Sequence, residues 1–404
     1  MNQLAVANRN IKLYIFVRIF AKRVFLPLTA IYFMSNAGFS IRDIGLLSGF
    51  YSVIQLLAEV PTGYFADRLG RVASIRMGAI LAAVATICYI VFKSKSGIFL
   101  GAMFEALGYS FFGGAGEALI HDSLVVKKQV KDYTKILSRT MSISLIANAV
   151  LIAFVPMTYT LDHRYPFLIG TVAYLLLFTV TLFMHDVETQ RVTSVIKLKI
   201  PDLKKIVGKR HLLIFGLTFG IISALYSSPN DMFNLALKEY GIRIEYIGWI
   251  YSAGSILGAA IGPFFHYLRG IRLSRYIILD ILVLLSLYIA SYSRSVIALA
   301  VIMVMAISFW RYRRIIYQDY LLTIYPTEYK ATLISAMNNL EQLNSIWLPI
   351  AITYLIYQTN ISQGFGLVGI FTLLIAPIFY YSTRRFFKID RKAMVLANGG
   401  PDIV

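Results

Sequence analysis

The sequence predicts an all-α membrane protein whose twelve transmembrane helices form two pseudo-symmetric six-helix halves. Three observations carry this prediction: an apolar composition, apolar stretches of membrane-spanning length, and an internal repeat. Of the 404 residues, 58% are hydrophobic and only 15% are charged, against roughly 45–50% and about 25% in a soluble domain. This composition excludes a soluble chain, and the low Gly, Pro and Cys counts exclude collagen-like and disulfide-rich classes.

Apolar stretches of about 20 residues, long enough to cross roughly 30 Å of hydrocarbon as a helix, recur from one end of the chain to the other. The sixth, ninth and twelfth are the clearest, whereas Arg18, Lys22 and Arg23 interrupt the first. The predicted spans are about 11–36, 44–65, 73–92, 97–124, 139–161, 166–184, 211–240, 246–265, 274–292, 296–318, 334–357 and 366–383.

The net charge of +19 is distributed unevenly over the segments that connect these spans. Nearly all of the positive excess falls on the side of the membrane that holds the N-terminus. Because Lys and Arg favour the side that is not translocated, we expect both termini to be cytoplasmic and the protein to lie in the inner membrane. The basic charge then reflects orientation and contact with anionic lipids, so it does not indicate nucleic-acid binding. No cleaved signal peptide is predicted.

The two halves of the chain resemble each other. Gly38–Gly45 leads into the second span and Gly241–Gly248 into the eighth, with four of eight positions identical. Further matches follow in the same order at nearly the same separation, which is about half the chain. We therefore predict six-helix bundles at 1–184 and 211–404, joined by a cytoplasmic linker at 185–210. The linker's apolar and basic residues alternate at helical spacing, as in a helix on the membrane surface.

A charged motif follows the second span and contains Gly63, Asp67, Arg68, Gly70 and Arg71. Its glycines permit a close helix approach and a tight turn, and its charges can bridge to neighbouring helix ends. The pattern G-x-x-x-D-R-x-G-R between the second and third of twelve spans resembles the signature of the major facilitator superfamily. That resemblance covers the whole chain. It implies a secondary transporter that works by alternating access, with helices 1, 4, 7 and 10 around a central cavity.

Two further segments, Glu59–Gly63 and Glu117–Leu124, are similar to a bacterial branch of this superfamily described as drug or macrolide efflux. This resemblance favours proton-coupled, multidrug-type export. Two departures are present: the second half lacks the Asp of the motif, and the fifth span keeps Pro156 without the glycines of the superfamily's antiporters. Uptake or flipping of an anionic metabolite or lipid is therefore the alternative.

Ionisable residues at membrane depth are costly, so each is a candidate functional residue. Arg18 and Lys22 are predicted to share a helix face. Glu117 and Arg314 occupy equivalent positions in the two halves, and we expect them to pair when the cytoplasmic side closes. The proton-coupling candidates are Glu117, Asp231, Glu341 and Asp122. The substrate-cavity candidates are Arg18, Lys22, Arg311, Arg314, Tyr226, Asn230 and Asn344. A structural role, at headgroups or backbone groups, is the alternative for Arg23, Arg313 and Asp122.

Other classes of function find less support in the residues. The sequence has no H-E-x-x-H and no nucleophile elbow, and its single cysteine, Cys88, lies within the third span, so we predict that the protein is not an enzyme. The scattered His residues predict no metal site, and no cofactor beyond a proton gradient is expected. A non-transporting membrane receptor is the alternative from a different class. The expected partners are a small-molecule substrate and anionic lipids, and we expect a monomer.

Overall fold

The structure, a computed structural model, describes residues 2–187, 210–261, 273–324 and 330–398. Within these ranges the chain forms twelve helical segments and no strand. In the N-terminal half they are α1 (Gln3–Phe20 continued by Thr29–Asn36), α2 (Ile41–Leu69), α3 (Arg71–Val91), α4 (Lys95–Phe112 continued by Ala115–Val126), α5 (Tyr133–Phe154) and α6 (Tyr165–Leu182). In the C-terminal half they are α7 (Arg210–Ser227 continued by Asn230–Glu239), α8 (Ile244–Ile261), α9 (Leu273–Tyr292), α10 (Val296–Ile324), α11 (Lys330–Gln358) and α12 (Ile361–Asn398).

Eight of these segments are long and apolar enough to cross a membrane by themselves, and the apolar part of α10, Val296–Trp310, is shorter. The remaining segments are α1 and α7, which are interrupted, and α11, which carries a polar run. The prediction of an all-α, twelve-helix membrane protein is thus confirmed. Most of the predicted linker, 188–209, lies outside the described residues, so its predicted surface helix stays a prediction.

Helix boundaries follow local chemistry. Ser40 caps α2 because its hydroxyl accepts from the Asp43 backbone N–H, while the Asp43 carboxylate accepts from the Ser40 N–H at 2.8 Å. This reciprocal pair satisfies two donors that a helix N-terminus otherwise leaves unpaired. Gly70 separates α2 from α3 with φ of 110°, a backbone conformation that favours glycine. We call the end of the bundle that carries Gly70 the motif end and the opposite end the far end.

Three helices, which correspond to the first, fourth and seventh predicted spans, are interrupted. The break in α1 covers 21–28, that in α4 falls at Gly113 and Gly114, and that in α7 precedes Asn230. A break frees backbone carbonyls that must be satisfied inside a membrane. Tyr109 donates to the Ala21 carbonyl at 2.7 Å, and Tyr288 donates to the Leu225 carbonyl at 2.7 Å. Tyrosine hydroxyls from neighbouring helices therefore stabilise the breaks.

The two halves meet along two seams, one between α2 and α11 and the other between α5 and α8. Gly45 and Gly49 allow α2 to approach α11 so closely that a methyl group at Gly45 would overlap Thr353. Gly248 allows α8 to approach α5 just as closely, because an added methyl group at Gly248 would overlap the Ile152 carbonyl. These contacts lie near the far ends of the helices. The second segments of α1 and α7 also pack together there, so the halves are closed at the far end.

Candidate functional site

The motif between α2 and α3 is built around Gly70. Asp67 Oδ1 lies 2.7 Å from Arg71 NH1, and the Arg68 guanidinium lies over the Tyr64 ring. The Asp186 carboxylate accepts from the Arg71 backbone N–H at 2.7 Å and from the Val72 N–H, which caps α3 with the favourable charge. A Cβ at Gly70 would overlap this carboxylate.

Sequence reasoning missed Asp186, because the residue lies more than a hundred positions downstream of the loop that it caps. The prediction that Gly63 permits a close helix approach is wrong. Nothing lies within 4 Å of a Cβ built at Gly63, and the residue is exposed. The space is open because α2 is in contact with α11 near the far end, through Gly45 and Gly49, while Gly63 lies toward the motif end.

A central cavity of about 400 Å³ lies between the two halves. The breaks of α1 and α7 both face it, as do the middle parts of α2 and α11. Broken helices at a midplane site expose backbone groups and polar side chains that a continuous helix would cover. The polar and charged lining residues are Arg23, Thr29, Ser48, Tyr51, Ser52, Gln55, Tyr89, Glu105, Ser227, Ser228, Asn230, Asp231, Asn338, Glu341, Gln342 and Ser345.

Arg23 and Glu105 form the charged centre of the N-terminal wall. Their closest atoms, Arg23 NH1 and Glu105 Oε1, are 3.7 Å apart. The Arg23 guanidinium lies over the Tyr51 and Tyr109 rings, 5.3 and 4.8 Å from their centroids, which favours a partly desolvated cation. Tyr89 donates to Glu105 Oε2 at 2.8 Å. The arrangement holds one charge of each sign beside the cavity. Sequence reasoning gave Arg23 a possible structural role at headgroups and left Glu105 out of the candidate sites.

The C-terminal wall supplies two of the predicted proton-coupling residues. Asp231 and Asn230 begin the second segment of α7, directly after the break, and both line the cavity. Glu341 lines it from α11, next to Gln342, whose Nε2 donates to Gln55 Oε1 across the halves at 3.2 Å. The structure therefore places Asp231, Glu341 and Asn230 in the lining of the same cavity.

Four of the other predicted cavity residues, Arg18, Lys22, Tyr226 and Asn344, are outside the cavity lining. Tyr226 is buried and donates to the Asp280 carbonyl, and Asn344 is buried and donates to the Leu340 carbonyl. The first segment of α1 ends at Phe20, so Arg18 and Lys22 do not share a continuous helix face as predicted. Neither of them lines the cavity. The break in α1 turns Arg23 toward the cavity in their place.

Glu117 and Asp122 lie toward the motif end, outside the cavity lining. Glu117 Oε1 is 3.8 Å from Arg18 NH1, and its side chain is 47% exposed. Asp122 lies 3.8 Å from His121 Nδ1. The side chains of Arg311 and Arg314 are outside the described part of the structure. The pairing of Glu117 with Arg314 stays a prediction, and in this conformation Glu117 has Arg18 as its neighbour.

A second arginine–carboxylate pair lies inside the C-terminal half. Arg313 Nε is 2.9 Å from both carboxylate oxygens of Asp280. Arg313 also donates to Ser223, and Tyr317 donates to Asp280 Oδ2 at 2.9 Å. The side chains of Arg313 and Asp280 are 1% and 0% exposed. Asp280 was missed because the ninth span is apolar enough to be predicted without it.

A match over most of the chain shows the family. Residues 13–349 match the Major Facilitator Superfamily. The chain is 26% identical over 249 residues to the uncharacterized MFS-type transporter YxaM of Bacillus subtilis (strain 168), covering 58% of this chain and 59% of the relative. It is 24% identical over 236 residues to the multidrug resistance protein MdtH of Blochmanniella pennsylvanica (strain BPEN), covering 58% and 56%. These matches therefore span less than two thirds of the relatives.

Three solved structures share the fold. The nucleoside transporter NupG superposes with a TM-score of 0.80 at 14% identity, over 95% of this chain and 99% of that chain. The inward-facing, unoccupied bacterial homolog of the human lysosomal transporter Spinster superposes with a TM-score of 0.69 at 12% identity, over 96% of this chain and 98% of that chain. The D-xylose-proton symporter gives 0.68 at 12% identity, over 93% and 96%. The motif and the twelve helices in two halves agree with the family match: the chain belongs to the major facilitator superfamily and is a multi-pass membrane protein.

Proposed function

We propose that the protein is a proton-coupled secondary transporter of the cytoplasmic membrane for a small, polar solute that carries no net negative charge. The observation that supports this proposal is the charge balance of the central cavity. In the part of the chain that the structure describes, the lining holds three carboxylates, Glu105, Asp231 and Glu341, and one cation, Arg23. The remaining polar lining consists of hydroxyls and amides.

The charge balance disfavours an anionic solute. Arg23 and Glu105 are close enough to compensate each other, and Asp231 adds a further negative charge to the lining when it is ionised. An anion in such a cavity meets like charges at low dielectric, whereas a neutral or cationic solute does not. Hydroxyl and amide groups can both donate and accept, so they suit a solute with several hydrogen-bonding groups.

Asp231 is our first candidate for the coupling carboxylate. It lies at the break of α7, where the helix interruption places it at the boundary of the two halves. A carboxylate that meets water on alternate sides of the membrane can take up a proton on one side and release it on the other. Glu341 faces the same cavity and is the second candidate.

The closed far end supports an inward-open conformation, if the motif end is cytoplasmic as the charge distribution predicts. The seams at Gly45, Gly49 and Gly248 would separate when the far end opens. Alternating access then consists of rocking one half against the other around the fixed cavity.

Proton flux in proteoliposomes tests the proposal. We would impose a pH gradient and record the internal pH while adding neutral polyols and nucleosides, organic cations, or organic anions. We expect neutral or cationic solutes to drive proton movement, Asp231→Asn to abolish it, and Asp162→Asn to leave it unchanged. Asp162 is a matched control because it pairs with Arg164 in a loop at the far end, away from the cavity. Proton movement driven by anions alone would contradict the proposal.

Multidrug-type export is the second candidate. It is supported by the similarity to a relative named as a multidrug resistance protein and by the excess of carboxylates, which suits a cationic drug. Its test is the direction and breadth of transport. An exporter expels several unrelated cations from right-side-out vesicles when the interior is more alkaline, and it ignores neutral polyols.

A further inference from the structure

A second cavity lies on the outer surface of the seam between α2 and α11. It has a volume of about 370 Å³ and is lined by Arg42, Leu46, Trp347, Ile350, Ala351 and Tyr354. The first two residues come from the N-terminal half and the other four from the C-terminal half. The side chains of Leu46, Trp347 and Tyr354 are 38%, 44% and 49% exposed. We call this cavity the seam groove.

The seam groove changes from polar to apolar with depth. Arg42 lies in the first turn of α2, and Tyr354 lies in the last turns of α11, so both are at the far end. Trp347 precedes Tyr354 by seven residues and lies about 10 Å deeper along α11. A cation at the membrane surface followed by aromatic and aliphatic side chains at hydrocarbon depth matches the order of headgroup and acyl chain in a phospholipid.

The cation at the rim is available. Among the described residues, the Arg42 guanidinium makes no hydrogen bond or ion pair. Its neighbour Asp43 does not neutralise it, because the Asp43 carboxylate is held by Ser40 and by Lys95 Nζ at 2.7 Å. An arginine at this depth favours a phosphate, which its guanidinium can bind through two parallel hydrogen bonds.

The repeat supplies a natural comparison at the other seam. In the matching segments Gly38–Gly45 and Gly241–Gly248, Arg42 corresponds to Glu245. Glu245 Oε1 lies 3.6 Å from Arg243 Nε, so that rim is compensated. Trp249 is exposed at this second seam and stacks edge-on against Phe154. The two seams therefore each carry an exposed tryptophan but differ in the charge at the rim.

We propose that the seam groove binds an anionic glycerophospholipid of the far-end leaflet, with its phosphate on Arg42 and its acyl chain against Trp347. A lipid in this position contacts both halves. It therefore stabilises the conformation in which the far end is closed, because any ligand that binds one conformation more tightly shifts the population toward it.

Quenching of tryptophan fluorescence by brominated lipids tests the proposal, since the three tryptophans can be reduced to one. Single-tryptophan proteins that keep Trp347 (Trp249→Phe with Trp310→Phe) or Trp249 (Trp347→Phe with Trp310→Phe) are reconstituted with brominated phosphatidylglycerol or brominated phosphatidylcholine. We expect phosphatidylglycerol to compete for the Trp347 site about fivefold better than phosphatidylcholine, with no preference at Trp249.

In the protein that keeps only Trp347, the charged residue at each rim is then replaced by glutamine, one at a time. Arg42→Gln should remove the preference for phosphatidylglycerol, and Glu245→Gln should leave it unchanged. Equal quenching of Trp347 by the two lipids, or a preference that survives Arg42→Gln, would overturn the proposal. If the single-tryptophan proteins do not fold, native mass spectrometry can count phosphatidylglycerol retained by the full-tryptophan protein with and without Arg42→Gln. An unchanged count would likewise overturn it.

Discussion

Each half of the molecule holds an arginine–carboxylate pair among tyrosines, but the two pairs differ in access and geometry. In the N-terminal half, Arg23 and Glu105 approach no closer than 3.7 Å, and the Arg23 side chain is 28% exposed to the cavity. In the C-terminal half, Arg313 contacts both oxygens of Asp280 at 2.9 Å, and neither side chain is accessible.

The difference indicates different roles for the same chemistry. Asp280 accepts from Arg313 and Tyr317, so its charge is well compensated inside the bundle. Each pair leaves one polar atom buried without a hydrogen-bond partner among the described residues, but in the N-terminal half it is the carboxylate oxygen Glu105 Oε1 and in the C-terminal half it is Arg313 Nη2. A buried pair with satisfied oxygens holds helices together, whereas a loose pair beside a cavity can exchange its partner for a solute or a proton.

The largest effect is expected from breaking the inaccessible pair. Asp280→Ala leaves Arg313 buried without its counter-ion, which costs about 3–5 kcal/mol of the free energy of unfolding. Thermal unfolding in detergent measures it. The double variant Asp280→Leu with Arg313→Met removes both charges and should recover most of the loss. An Asp280→Ala protein as stable as wild type would remove the distinction between the two pairs.

Glu105→Gln should separate function from stability. The amide keeps the shape of the side chain and can still accept from Tyr89, so the expected loss of stability is only about 1 kcal/mol. Without the carboxylate, the net charge of the cavity becomes more positive by one. We expect solute-driven proton flux to fall about tenfold, which corresponds to a free-energy change of about 1.4 kcal/mol. Asp162→Asn is the control, because Asp162 lies in a loop at the far end, outside the cavity lining. If flux and stability fall together, Glu105 is structural like Asp280.

The substitution Asp67→Asn tests a carboxylate that lies far from both arginine–carboxylate pairs. Asp67 is exposed and lies at the motif, so it can change only the balance of conformations. Transport should slow by about tenfold or more, while equilibrium binding of the solute stays within about threefold. Binding to purified protein and flux in vesicles give the two numbers. Normal flux in the Asp67→Asn protein would show that the motif does not control the balance of conformations.

The smallest effect is expected at Arg18, although the sequence predicts that Arg18 contacts substrate. Its pair with Glu117 is long and largely accessible, and such pairs contribute about 0–1 kcal/mol. Arg18→Ala should change solute affinity by less than about threefold. Arg23→Ala serves as the positive control, since Arg23 lines the cavity. A stronger loss for Arg18→Ala than for Arg23→Ala would show that the sequence prediction was right.

Much of the fold could be predicted because the length of each apolar stretch and the internal repeat can both be recognised in the sequence alone. The breaks in α1 and α7 were missed although Pro27 and Pro229 mark them, because the hydropathy of a stretch does not register that proline lacks a backbone N–H and interrupts a helix. The same limit determined which site residues could be predicted. Asp231 and Glu341 were found because each is an acid within a predicted span, whereas the choice between Arg18, Lys22 and Arg23 depends on the break in α1.

The tyrosine hydroxyls at the breaks have a consequence for the movement of the two halves. Tyr109 holds Ala21 within the N-terminal half, and Tyr288 holds Leu225 within the C-terminal half. Neither bond crosses a seam, so both survive when the halves rock apart. The backbone around each break therefore keeps its geometry while the halves move. If the protein transports as we propose, opening changes the side from which a solute reaches the cavity, while the backbone at each break in the lining stays the same.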